Sequence, residues 1–170
     1  MKNFDTKKLA RCGIIAGLYV VLSLITLPVA SGAIQFRASE GLTILPLFFP
    51  EAIPALFVGC MLSNLITGCA PMDIIFGSAV TLVASVLTYG AGKLLKNTSL
   101  KIIAGGIFPV LLNAFLLPLI WVWCYGTGEY VYGLQFTFLL ISQSVSVYAL
   151  GTPIYLGVKR LKNKGVNFLN

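Results

Sequence analysis

The sequence predicts an all-α integral membrane protein: a bundle of six transmembrane helices forming one domain over residues 1–170. Three observations predict it. The chain is 58% hydrophobic and only 10% charged, with a mean hydropathy of +0.93, whereas soluble domains average about 25% charged residues. A water-soluble fold of this size has too little interior for that much apolar surface, so an ordinary soluble enzyme is excluded and lipid is the fitting solvent. The apolar residues come in runs near the ~20-residue length a bilayer demands. Finally, 12 Lys and Arg outnumber five Asp and Glu, for a net charge of +7, and the bases stand at the edges of the apolar runs. That pattern carries topology rather than a nucleic-acid patch.

The first helix covers about 9–27 and ends at Pro28. Its basic start and the small residues Ala30-Ser31-Gly32 resemble a secretory signal. Gly13 to Val29 is longer than an h-region of about 7–15 residues, so it is read as a retained helix. A second segment, 37–49, is broken by Pro46 and Pro50, and a third covers 53–67. At ~1.5 Å per residue each spans about 20 Å of a ~30 Å hydrocarbon core, so they form two short helices or one re-entrant hairpin. After the turn Gly68-Cys-Ala-Pro71 come helices over 72–95, 102–123 and 135–158, with a basic loop at Lys93–Lys101 and a polar loop at Tyr125–Gly133. Six crossings put Lys7, Lys8 and Arg11, the Lys93–Lys101 loop and the tail Lys159, Arg160, Lys162, Lys164 on one side. The positive-inside rule makes that side the cytoplasm, with both termini inside a prokaryotic plasma membrane. A hairpin at 37–67 has the same parity, so four and six spans both fit.

The chain has no His, which excludes a His-based triad or zinc site, and Cys12, Cys60, Cys69 and Cys124 have neither metal nor disulfide spacing. Gly90-Ala-Gly-Lys93 lacks the earlier Gly of a phosphate-binding loop, and Leu94 stands where Ser or Thr is needed, so ATP hydrolysis by that route is excluded. Asn97-Thr98-Ser99 matches a glycosylation sequon but falls on the inner side. No clustered carboxylates suggest an enzyme.

Ionisable and large polar groups in a membrane bundle are costly and point to function. Arg37 and Glu40 sit at the outer end of the second helix and Asp73 at the outer end of the fourth; Glu129 lies in the last outer loop, and Glu51 stands alone on the inner side. By depth, Asn64, Asn113, Trp121, Trp123 and Gln143 fall in the same outer half. Six elements thus converge on a pocket open to the exterior. Each residue has a plainer role. Arg37 and Glu40, three apart, can pair. Asp73 can cap its helix. Trp121, Trp123 and Tyr125 can form an interfacial belt. Asn64, Asn113 and Gln143 can bond helix to helix, and Glu129 can be solvated. Small residues form two stripes, Ala10/Gly13/Gly17 and Ala55/Gly59/Ser63/Thr67, suited to internal packing or to docking another membrane subunit.

The run from Ile34 to Pro46 (IQFRASEGLTILP), Ala52 to Cys60 (AIPALFVGC), Ser63-Asn64-Leu65, Asp73 to Ser78 (DIIFGS) and Thr81-Leu82 resembles the QueT family. The resemblance covers about residues 9–160, closely in the first half and more loosely through Asn113-Ala114 and Tyr148-Ala-Leu-Gly151. Members are substrate-binding S-components of energy-coupling-factor (ECF) vitamin transporters assigned to queuosine precursors. The resemblance implies the ECF S-component fold, a pocket near the outer face, a transmembrane coupling subunit and two cytoplasmic ATPase subunits as partners. It implies no cofactor, ATP being used only by the partners, and a cargo such as preQ1, preQ0 or queuine. The expected substrate-binding set is Gln35, Arg37, Glu40, Asn64, Asp73, Asn113, Trp121 and Gln143. The expected partner interface is Gly13 and Gly17, where the family carries a small-xxx-small motif, with Ala55, Gly59 and Ser63. The chain departs from the pattern at Gly41, where Ala is expected, and at Ser142-Gln143, where many relatives have Gly-Glu. Those departures fit a different side group on the 7-deazaguanine. An S-component for another vitamin, or an autonomous transporter coupled to protons through Glu40 and Asp73, are the alternatives.

Overall fold

In a computed structural model, which describes residues 6–30, 35–126 and 129–166, all regular structure is helical. Thr6–Ile25 forms α1, followed by the single turn Leu27–Ala30. Ala38–Leu47 forms α2, a 3-10 helix, and Ala52–Ile66 forms α3. The π turn Asp73–Gly77 opens α4, which continues as Ser78–Leu94; Thr98–Tyr125 is α5. Glu129–Ser144, the π turn Val145–Leu150 and Gly151–Asn163 run on as α6. Four helical spans are long and apolar enough to cross a membrane: Thr6–Ile25, Asp73–Leu94, Thr98–Cys124 and Val131–Asn163; Ala52–Ile66 is apolar but shorter. Ile14, Leu18, Ile25, Leu65, Ile75 and Leu119 are exposed on the outward faces, a surface suited to lipid rather than water.

The boundaries differ from the sequence expectation where capping decides them. Asn97 starts α5 earlier than residue 102, because its side chain accepts a hydrogen bond from the Ser99 backbone N–H at 2.9 Å. The triplet that reads as a sequon is thus a helix start. Gly126, at φ 65, ends α5 in the left-handed conformation that glycine adopts freely. Glu129 opens α6 instead of sitting in a loop. The Glu129 and Tyr125 side chains, and Ser31 and Gly32, lie outside the described residues.

Every residue of α2 from Ser39 to Leu47 is buried, so this helix is the axis around which the others pack. At ~2.0 Å per residue a 3-10 helix gets about 20 Å from ten residues. Thr43 Oγ1 donates to the Glu40 carbonyl at 2.6 Å, a side-chain bond in the same three-residue register. Close approach by the neighbours requires glycine at two points. A Cβ on Gly41 would lie 2.8 Å from Leu150 Cβ of α6, and one on Gly92 of α4 would lie 2.9 Å from the Leu47 carbonyl oxygen. The crossing of α6 therefore calls for glycine at position 41.

α2 does not turn back midway. It delivers Phe49 between Arg11 of α1 and Lys162 of α6, whose charged groups lie 5.0 and 5.3 Å from the ring centre. α3 then returns. Lys159 of α6 donates to Thr98 Oγ1 at 2.6 Å, so the chain's N-terminal bases, the loop before α5 and the tail share one end, here the basic end. The opposite end is the cavity end. Buried hydroxyls cross the span by bonding carbonyls of their own helix: Ser78 to Ile74 at 2.6 Å, Thr81 to Gly77 at 3.0 Å and Ser85 to Thr81 at 2.7 Å.

Two expectations are corrected. Glu51 is not alone: Arg11 Nη2 lies 2.6 Å from its Oε1, with the side chains 8% and 9% exposed. Sequence spacing hides this pair, because α1 meets the α2–α3 turn only in the fold. Ala55, Gly59 and Ser63 are buried inside the bundle against α1, and a Cβ on Gly59 would lie 2.9 Å from Tyr19 Cβ. That stripe serves internal packing and is closed to a partner. Gly13 and Gly17 are exposed, with nothing within 4 Å of an added Cβ.

Candidate functional site

Between the cavity ends of the helices lies a cavity of ≈ 250 Å³. All of Gln35, Arg37, Glu40, Asn64, Asp73, Asn113, Trp121 and Gln143 line it. The depth argument brings all but Gln35 to one end, and the packing of α3, α4, α5 and α6 around α2 gathers the eight into one chamber. Cys60, Cys69, Thr81, Leu117 and Leu139 also line it. These are small or apolar residues with no depth signal of their own.

Glu40 sits in the first turn of α2 and is 3% exposed. Its Oε1 accepts from Tyr19 Oη at 2.6 Å, and its Oε2 accepts from Asn113 Nδ2 at 3.4 Å. Tyr19 is fully buried in the apolar run of α1, and the sequence reading missed it. The signal was available, since a tyrosine hydroxyl buried among apolar residues needs a partner. Arg37 does not pair with Glu40 among the described residues; its Nη2 is 4.0 Å from Cys69 Sγ. Both carboxylate oxygens are therefore oriented by neutral donors, with lone pairs left over.

Asp73 does not cap α4 through its side chain. Its Oδ1 accepts from the Trp121 indole N–H at 2.6 Å, which ties α4 to α5. Asn64 Nδ2 donates to the Asp73 carbonyl at 3.3 Å, holding the π turn from α3. Such turns break the regular helical bonding and are frequent at functional sites. Trp123, two residues on, is 83% exposed. The aromatic-belt role therefore fits Trp123, while Trp121 faces inward.

Gln143 is 4% exposed and its Oε1 has no hydrogen-bond partner. It precedes the π turn Val145–Leu150 of α6. Gln35 has φ 42, a left-handed value that is uncommon for a residue with a side chain. Two carboxylates and one guanidinium thus line a chamber that also offers amide donors and acceptors and one indole face. The chamber can hold one small planar molecule with several N–H groups. Among the described residues no cluster of His, Cys, Asp and Glu could hold a metal ion.

Residues 9–160 match the family described as QueT transporter. The chain is 36% identical over 85 residues to the queuosine precursor transporter QueT of Lactococcus lactis subsp. cremoris (strain MG1363). That stretch is 49% of this chain and 50% of the relative, so the match spans about half the length of the curated relative. No solved structure matches the chain.

Proposed function

Since the chain belongs to the QueT transporter family, we propose that it is the substrate-binding subunit of an energy-coupling-factor importer whose cargo is a queuosine precursor of the 7-deazaguanine class. The observation that carries this reading is Glu40, a buried carboxylate held by Tyr19 and Asn113, with Arg37 lining the same chamber but forming no salt bridge to it among the described residues. A guanine-like edge presents adjacent N–H donors that a carboxylate accepts in a bidentate pair. Arg37 and the amide N–H groups of the chamber suit the ring carbonyl, and the Trp121 face suits the ring plane. The second oxygen of Asp73 suits an ammonium arm.

In the membrane, α2 and α3 act as two short crossings, completing the six-helix S-component bundle. The basic end faces the cytoplasm by the positive-inside rule, so the cavity opens outward. The open face of α1 at Gly13 and Gly17 docks a transmembrane coupling subunit, since small residues let two helix backbones approach. Two ATPase subunits attached to that partner supply the energy, and the chain itself catalyses nothing.

Two measurements test the reading. Purified protein titrated calorimetrically with 7-aminomethyl-7-deazaguanine, thiamine, riboflavin and biotin binds only the first. Tight binding of a vitamin instead moves the chain to another cargo. Gly13→Leu with Gly17→Leu abolishes uptake in cells yet leaves binding by the isolated protein unchanged; surviving uptake puts the docking face elsewhere.

A further inference from the structure

A second cavity of ≈ 200 Å³ adjoins the first and shares Gln35, Trp121 and Leu139 with it. Its remaining lining comes from α6: Val131, Leu134, Gln135 and Phe138. These four fall at i, i+3, i+4 and i+7, one face of a helix. The two chambers differ in chemistry. The first holds the carboxylates, the guanidinium and four amides, the shared Gln35 among them. The second is walled by aliphatic and aromatic groups and has two glutamines, Gln35 and Gln135. The Gln135 Oε1 is buried and has no hydrogen-bond partner, a costly state for a carbonyl unless a ligand supplies the donor.

The partition between the chambers is fixed. The Trp121 indole N–H is held by Asp73 at 2.6 Å, so the ring cannot swing into either space without breaking that bond. Leu139 is 3% exposed. Gln35 keeps its backbone at φ 42 where the two chambers meet, and local strain of this kind concentrates at ligand sites.

We propose that the two cavities form one bipartite site, in which the second chamber receives a bulky substituent carried by the base in the first. The proposal rests on the substrate reading above. The matching ligand has a planar head rich in N–H groups. A short linker passes Trp121, and a ring with an apolar face and at least one O–H or N–H donor reaches Gln135. A cationic linker suits the passage, because Asp73 borders it from the first chamber. Gln143 carries no charge, which leaves Asp73 as the carboxylate beside that passage.

Calorimetry with two probes tests this. One is 7-aminomethyl-7-deazaguanine. The other is queuine, the same head with a dihydroxycyclopentenyl ring on the amine nitrogen. The wild-type chain binds queuine about tenfold tighter, from apolar ring burial and the bond to Gln135. Gln135→Leu and Val131→Trp each abolish that advantage while leaving the affinity for the smaller compound within about twofold. The smaller compound doubles as the folding control, and two variants at different positions protect against one failing to fold. Equal binding of the two compounds by the wild type, binding of the smaller one alone, or an advantage that survives both variants overturns the bipartite site and leaves the substrate reading standing. Binding of neither compound overturns the substrate reading and this inference with it.

Discussion

At the basic end of the bundle, Arg11 and Glu51 face each other at 2.6 Å, and the Phe49 ring has both Arg11 and Lys162 over it. At the cavity end, Glu40 and Asp73 are equally committed to hydrogen bonds, but their partners are a phenol, an amide and an indole. The first arrangement consumes its own charge. Opposite ions taken out of water together offset one another's charge. The second arrangement keeps formal negative charge in place, with the carboxylate oxygens oriented and part of their accepting capacity free. Buried charge is therefore paired off at one end and left facing a cavity at the other, and the identity of the partner tells the two apart.

The contrast can be broken by substitution at either end. The largest effect is at the basic end. Arg11→Met strands Glu51 and lowers unfolding stability by about 3–5 kcal/mol, and Arg11→Met with Glu51→Met restores most of it. Denaturation in detergent measures both, and ligand affinity stays unchanged throughout. At the cavity end, Tyr19→Phe removes one hydrogen bond to a charged group, worth about 1.5–3 kcal/mol. Titration then shows affinity weaker by roughly 10- to 100-fold, with a much smaller loss of stability than at Arg11. Smallest is the pair of tryptophans. Trp121→Phe keeps the ring but frees Asp73, for about a tenfold loss of affinity. Trp123→Phe, on the exposed face, leaves affinity unchanged in the same titration.

All of the expected lining residues but Gln35, which came from the family resemblance, were legible because depth in a membrane is a one-dimensional quantity. Counting from the basic clusters places Glu40, Asn64, Asp73, Asn113, Trp121 and Gln143 at one level without knowing which helices touch. Facing is what counting cannot supply. The stripe at Ala55, Gly59 and Ser63 has the same spacing whether it meets α1 or a partner, and only the packing of α3 on α1 decides. Arg11 looked like a flanking base because its partner is 40 residues away. Its place at the head of Arg11, Ile15, Tyr19 and Ser23, the buried four-residue period of α1, was the overlooked signal. That period would also have found Tyr19. The 3-10 form of α2 had no local signature. It is buried all round, with Ser39, Glu40 and Thr43 among its buried residues, and glycines at its crossings with α4 and α6 let the neighbours close upon it.

Paired titrations of Glu40→Gln and Glu51→Gln with 7-aminomethyl-7-deazaguanine, each with a melting curve, address the distinction most directly. Both substitutions keep shape and remove one negative charge. Truncating one partner of a buried charged hydrogen bond costs ~2–5 kcal/mol, about 30-fold to several-thousand-fold in affinity. The account predicts that loss for Glu40→Gln with the melting temperature nearly retained, and for Glu51→Gln an unchanged Kd with a clearly lowered melting temperature. An unchanged Kd for Glu40→Gln, with only its melting temperature lowered, would make both carboxylates structural and contradict the account.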